Sequence, residues 1–265
     1  MIPDYEIYGL RYGREDFRPE SEMYLDGDPA VQAPGLDFYF WVIRGGGRVW
    51  VVDCGYAVRV GDRLGHDTLY DPADGLRRLG IDPATVSDVI VTHCHYDHVG
   101  NLEAFPQAMF HIQDREMLTV TGRDVTHPAL KMYGKRNTLT LVGLNYDGRC
   151  RFYDGDGELA PGLSQILVGG HSRGQIALEV ATRRGPVIVA SDAVHLYEEM
   201  ERARPFRVFY DLREMFEGYR TLGARMLSRD HLIPGHDPEL ARRFPAAGPE
   251  FEGEILRFDL EPARP

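Results

Sequence analysis

Two rhythms of apolar and polar positions run along this chain. From Phe38 to Ile43, and again from Arg48 to Val52, β-branched and aromatic residues crowd together, separated by Arg44-Gly45-Gly46-Gly47. Two such runs around a glycine-rich turn predict a β-hairpin. Val86 to Val91 and Ala108 to Ile112 read as further strands. Ser164 to Val168, Gln175 to Ala181 and Pro186 to Ala190 form a second series, and His231 to Ile233 is a short strand ending at Pro234-Gly235. The period changes at Asp211 to Ser228, where Leu212, Met215, Phe216, Tyr219, Leu222 and Met226 recur close to helical spacing. Asp74 to Leu79 reads as a short helix stopped by Gly80. Two stretches fit neither rhythm. Residues 11–37 are polar, with Pro and Gly among a few aromatics, and residues 119–148 mix Gly, Thr, Asn and basic residues around Leu139 to Leu144. Long irregular segments in compact domains are often binding loops. Both are therefore read as substrate loops, with plain surface connection as the alternative.

Composition narrows the class. At roughly 150 residues per domain, 265 residues make one large domain or two small ones, and the reading adopted takes 1–265 as one. Apolar residues at 43% and charged residues at 27% exclude a disordered, collagen-like or coiled-coil chain. No apolar run approaches the roughly 18 residues that span a bilayer, so no membrane partner is expected. With 30 basic and 41 acidic side chains the net charge is −11, which argues against nucleic acid as a partner. Cys54, Cys94 and Cys150 are too few, and odd in number, for a disulfide framework. The early acids of Met1-Ile2-Pro3-Asp4-Tyr5-Glu6 are not a secretory signal, so the expected location is the cytoplasm.

Chemistry concentrates in Thr92-His93-Cys94-His95-Tyr96-Asp97-His98. Imidazole and carboxylate are the usual nitrogen and oxygen ligands of zinc and its neighbours. On a strand running into a loop, His93 and His95 point to one side because alternate residues share a face. The following turn offers Asp97 and His98 to a second position close by. Three further candidates each stand just past a predicted strand: His171 after 164–168, Asp192 after 186–190 and His236 after 231–233. Loops gathered at one sheet edge are where functional residues concentrate.

This set resembles the metallo-β-lactamase superfamily, whose hallmark is His-x-His-x-Asp-His followed by a later His, a bridging Asp and a final His. Here these match His93, His95, Asp97, His98, His171, Asp192 and His236, and Asp53 matches the family's Asp-x-Gly turn. The resemblance covers roughly residues 36–240. It implies an α/β fold, an αββα sandwich of two mixed β-sheets flanked by helices. It also implies two divalent metal ions, with zinc the first expectation and manganese, iron or cobalt the alternatives. One ion would take His93, His95 and His171, the other Asp97, His98 and His236, with Asp192 bridging. Within the superfamily the chain is most similar to N-acyl homoserine lactonases, which implies opening of a small cyclic ester by a hydroxide shared between the metals. The resemblance then implies that Asp97 and Asp192 ligate and orient, and that one or the other shuttles a proton to the leaving alkoxide. The lactonase tyrosine three residues after the bridging aspartate is replaced by His195, read here as a donor to the developing oxyanion. Tyr197 follows two residues on. The alternatives are a thioesterase resembling glyoxalase II and a mononuclear iron protein resembling persulfide dioxygenases. The expected partner is a small-molecule substrate, and a homodimer is compatible with the resemblance.

The remaining candidates are less specific. Cys94 sits between two ligands, and alternation points it away, as a small buried residue. Cys54 and Cys150 look structural. Arg202, Arg204 and Arg207 form either a carboxylate-binding group or a solvated basic patch. Phe17, Tyr24, Phe38, Tyr39, Trp41 and Tyr133 are divided between pocket wall and core.

Overall fold

The computed structural model of the protein describes residues 2–263. The first sheet begins with β1 (Glu6–Pro19), β2 (Gln32–Gly45), β3 (Arg48–Val52) and the two-residue β4 (Asp67–Thr68). It continues through β5 (Asp88–Ile90), β6 (Met109–Gln113) and β7 (Cys150–Tyr153). The second sheet holds β8 (Gly157–Ala160), β9 (Leu163–Leu167), β10 (Ile176–Thr182), β11 (Gly185–Ser191) and β12 (Leu232–Pro234). A last strand, β13 (Ile255–Arg257), returns to the first sheet. The orders are β13-β1-β2-β3-β5-β6-β7, with β4 on β1, and β12-β11-β10-β9-β8. Both sheets are mixed. In the first, pairing is antiparallel from β13 to β3 and parallel from β3 to β7. In the second, only the β11–β12 pair is parallel. Eight α-helices accompany them among the described residues: α1 (Glu20–Met23), α2 (Val58–Leu64), α3 (Pro72–Arg78), α4 (Asp114–Val120), α5 (Lys135–Tyr146), α6 (Tyr197–Glu201), α7 (Leu212–Arg225) and α8 (Leu240–Arg243). Two mixed sheets flanked by helices are the architecture that the sequence implies.

Local chemistry accounts for the elements. The predicted hairpin forms with Gly45 opposite Arg48, and Gly46 and Gly47 take φ of +59° and +75°, the left-handed geometry that two-residue hairpin turns need. β2 is buried continuously from Leu36 to Ile43 because it is covered on both faces. α3 starts at the Asp71 cap, whose carboxylate accepts from Ala73 N–H at 2.8 Å, with Pro72 at the first position. α7 buries Met215, Gly218, Tyr219 and Leu222 along one stripe, as its period predicts. No helix among the described residues is long and apolar enough to cross a membrane.

The two stretches read as irregular are largely regular. Residues 11–19 and 32–37 prolong β1 and β2 into an arm, with Glu15 opposite Leu36 and Pro19 opposite Gln32. Its composition is polar because the outer half of β1 is exposed or half-buried. Residues 119–148 contain α5, which buries only Leu141 and Leu144 and so shows no apolar stripe.

Candidate metal centre

The His93–His98 loop leaves β5 at the edge where β3 also ends. Asp53, one residue past β3, takes a φ of +62°, which turns its carboxylate under the loop. It accepts from Thr92 N–H at 2.8 Å, Thr92 Oγ1 at 2.7 Å and His98 Nδ1 at 2.8 Å. Burial raises the Asp53 carboxyl above its ordinary range, and His98 opposes that rise. On the other side of the loop the buried Glu116 of α4 accepts from Cys94 N–H at 2.8 Å. The same carboxylate accepts from Ser172 Oγ and Gly174 N–H at 2.7 Å each, tying the first histidine loop to the one carrying His171.

The second sheet supplies the rest. Past β9, Gly169 and Gly170 have positive φ, and a Cβ on Gly170 would lie 2.5 Å from Met215 N, so only glycine lets α7 approach. His171 Nδ1 then donates to the Val208 carbonyl at 2.9 Å. Past β11, Ser191 takes a φ of +47° and stands 2.9 Å from Thr92 Oγ1, which presents Asp192 toward the first loop. Past β12, Gly235 packs on Ser191 so closely that a Cβ there would meet its carbonyl at 2.8 Å. His236 Nδ1 donates to the Asp37 carbonyl at 2.8 Å.

All seven residues are buried, and four of the histidines converge on Asp192. Its Oδ2 lies 3.4 Å from His171 Nε2 and 3.8 Å from His93 Nε2; its Oδ1 lies 3.2 Å from His98 Nε2; and His236 Nε2 is 3.2 Å from both oxygens. Asp97 Oδ2 is 3.6 Å from His98 Nε2 and 3.8 Å from His236 Nε2. His95 Nδ1 faces His171 Nε2 at 2.9 Å. The donor atoms sort into His93, His95 and His171; Asp97, His98, Asp192 and His236; and His171, Asp192 and His195, each set within 4.8 Å.

These groups can hold metal ions. His98, His171 and His236 each anchor the ring nitrogen that faces away, to a carboxylate or carbonyl, and so aim Nε2 inward. His93 Nε2 and His98 Nε2 are buried without a hydrogen-bond partner. The set is nitrogen and oxygen without thiolate; Cys94 stands outside it, and burial pushes its thiol well up. Burial, joined by neighbouring imidazoles, holds His93 and His171 well below the usual histidine range. Burial also pushes His95 down to about 4, against Asp97 and Asp192. At His98 burial is outweighed by Asp192, Asp97 and Asp53, and the ring rises well above that range. Asp192 shows the converse: burial is outweighed by His98 and the other imidazoles, and its carboxyl falls well below the usual range.

His195 closes the floor of the same cleft, 3.3 Å from Asp192 Oδ2. Its ring stacks on Phe206 at 3.7 Å and 16°. Tyr197 turns away, its hydroxyl donating to the Leu232 carbonyl at 3.0 Å. Of the two readings of the arginine group, the solvated patch fits Arg202 and Arg207, which are exposed, while the acidic and carbonyl partners of all three argue against a carboxylate-binding group. Arg202 pairs with Glu198, Arg204 with Glu20, Asp26 and Glu198, and Arg207 donates to the Ser21 carbonyl. Arg204 and Arg207 fasten the β1–β2 connection beside Phe206. Of the aromatics, Phe38 lines the cleft and Tyr133 packs 4.7 Å from His95, whereas Phe17 is exposed and Tyr24, Tyr39 and Trp41 lie in the core. The cleft is narrow, about 60 Å³, and Arg18, Leu36 and Met132 join its wall. Sequence reasoning missed Glu116, which no local pattern marks, and Glu199, whose one signal was its position four residues after His195.

The profile of the metallo-beta-lactamase superfamily matches residues 39–236. An N-acyl homoserine lactonase of a Bacillus species is 28% identical over 63% of this chain and 62% of its own length. The lactonase AttM of Rhizobium radiobacter is 28% identical over 94% of this chain and 99% of its own. The chain thus spans about three fifths of the first curated relatives it matches. Among solved structures, an N-acyl homoserine lactone hydrolase with N-hexanoyl-L-homoserine at its catalytic metal center superposes with a TM-score of 0.76 at 21% identity, over 91% of this chain and 96% of that one. The dizinc lactonase AidC gives 0.71 at 16%, over 90% and 89%. At those identities the structures speak for the fold, and the profile, which spans most of the chain and every proposed ligand, settles the family: this chain belongs to the metallo-β-lactamase superfamily.

Proposed function

We propose that the chain is a dinuclear metal-dependent hydrolase opening a small cyclic ester, with N-acyl homoserine lactones as the first substrates to test. The observation that carries this reading is the buried carboxylate of Asp192, with imidazole nitrogens within 3.4 Å of each of its oxygens at the bottom of a narrow cleft. His93, His95 and His171 would hold one ion and Asp97, His98 and His236 the other. Two divalent ions there, zinc by the chemistry of the donors, supply an acidified water and a Lewis acid for the carbonyl. Asp192 fixes the spacing of the two groups. Asp97, on the cleft wall, would take the proton released by the attacking water and pass it to the leaving alkoxide. Leu36, Phe38, Met132 and Phe206 exclude water around the reacting carbonyl and give an apolar tail a surface to lie on. Because Leu36 and Met132 come from 11–37 and 119–148, these stretches are proposed as substrate-contacting segments of one catalytic unit. A cytoplasmic location, a homodimer and a role in quorum quenching belong to the same reading.

The test is a panel of lactones, thioesters and β-lactams offered to zinc-loaded protein, read by proton release. Lactones should be opened at least about tenfold faster than the others. Turnover of thioesters alone, or oxygen uptake on a persulfide, would overturn the proposal.

A further inference from the structure

The geometry points to His195 as a metal ligand in its own right, a fourth imidazole on the Oδ2 side of Asp192. This rests on the proposed metal centre and gives His195 a place that the resemblance does not, since the lactonases carry tyrosine there. Its Nε2 stands 3.3 Å from Oδ2, level with His171 Nε2 at 3.4 Å and nearer than His93 Nε2 at 3.8 Å. The donor atoms of His171, Asp192 and His195 lie within 4.8 Å of one another. The side chain is 2% exposed, and neither ring nitrogen has an aligned hydrogen-bond partner. A buried polar ring without partners is costly unless something else satisfies it.

The surroundings of the ring match those of a ligand. Glu199 Oε1 lies 3.2 Å behind Nδ1, as Asp53 lies 2.8 Å behind Nδ1 of His98. Ligating histidines characteristically have a carboxylate or carbonyl on the nitrogen that faces away from the metal. Glu199 is itself fixed by the N–H groups of His195 and Leu196 at 2.8 and 2.9 Å and by the Tyr219 hydroxyl at 2.6 Å. Phe206 clamps the ring face, and a β-bridge to Tyr24 holds Phe206. With a carboxylate behind Nδ1, the ring on giving up one proton keeps the other on that side and turns a lone pair inward at Nε2. A lone pair is what a ligand needs. The oxyanion donor expected from the sequence would need a proton at the same atom.

The experiment measures binding with no substrate present. Protein stripped by a chelator is titrated with Zn²⁺ against a chromophoric competitor, for wild type, His195→Ala and His195→Phe; the last keeps the stack on Phe206 without a nitrogen. Thermal melts of the stripped proteins check that each variant folds. Wild type should take two ions. Both variants should bind one of them at least about 100-fold more weakly, at or beyond the upper end of what loss of a supporting residue costs. With Co²⁺ in place of Zn²⁺, the visible spectrum of the variants should change as a nitrogen donor is lost. Unchanged affinities and an unchanged cobalt spectrum in a folded variant overturn the assignment, whatever happens to kcat/KM. Wild type that binds two ions yet opens no ester overturns the proposed hydrolase and leaves the ligand assignment standing.

Discussion

The two donor groups on either side of Asp192 contain similar side chains and handle charge in opposite ways. On one side, burial and mutual repulsion keep His93, His95 and His171 neutral, with His95 down at about 4. On the other, Asp192, Asp97 and Asp53 outweigh burial and hold a proton on His98. The first group is three lone-pair donors awaiting a cation. The second neutralises itself with a proton, which an arriving ion must displace. The supports differ too. His98 leans on the side chain of Asp53, whereas His171 and His236 lean on the carbonyls of Val208 and Asp37. Substitution can therefore weaken His98's anchor directly, while the anchors of His171 and His236 belong to the fold.

The severest break removes the carboxylate both groups share. Asp192→Ala leaves His93, His98, His171 and His236 without the anion within 3.8 Å of each. At least one ion should be lost, and lactone turnover should fall by at least about 1,000-fold, in the range for removing a main electrostatic element of a site. Elemental analysis of the dialysed protein and initial rates check this. A variant with two ions and normal turnover would mean that Asp192 does not bridge.

A finer break touches one side alone. Asp53→Asn keeps the shape under the loop but withdraws the charge that His98 Nδ1 leans on and places an amide N–H against Thr92 N–H or the imidazole. Affinity for one ion should drop about 10–100-fold. Stability should fall by about 1–3 kcal/mol, the range for an unsatisfied buried polar group. Competition titration and urea unfolding report the two separately. Equal weakening of both ions would show that Asp53 supports the loop as a whole and not His98.

This asymmetry also explains what the sequence made legible. His93, His95, Asp97 and His98 share one loop, so their spacing exposes them. His171, Asp192 and His236 are visible as polar residues past strands; their shared placement joins them to one site, and the resemblance adds how they divide between two metals. The three long strands of the second sheet were located to within one residue at each end, because each is a compact apolar run. β1 was not, since its outer half reads as polar surface. α4 and α5 carried no stripe to find. Glu116 was illegible for a physical reason: it joins two loops through backbone N–H groups and the Ser172 hydroxyl, all distant in sequence, so nothing near it marks its role.

The mildest test sets two groups of histidines against each other by pH, in protein stripped by a chelator: those that burial keeps neutral and those on which carboxylates hold a proton. His95 is neutral in the fold down to about 4 but takes a proton near 6.5 when unfolded. Between those values the unfolded chain binds more protons, so this contribution is present above pH 6.5 and is lost as pH falls toward 4. The loss is about 3 kcal/mol for His95 alone, and His93 and His171 act in the same direction. His195 has the opposite sign. Burial lowers its pKa, but Glu199 and Asp192 outweigh that and raise it to about 9. Its contribution is complete below pH 6.5 and disappears as pH rises toward 9, again by about 3 kcal/mol, with His98 acting alongside. Urea midpoints of the stripped protein should therefore peak near pH 6.5 and fall on both sides. His95→Gln should flatten the acid limb and leave the alkaline one; His195→Gln should do the reverse. Saturating Zn²⁺ should lift the alkaline limb most, because ligating imidazoles must be deprotonated and binding is then least opposed by protons. A flat profile from pH 4 to 9, or one limb responding to both substitutions, would show that the two groups do not hold their protons separately.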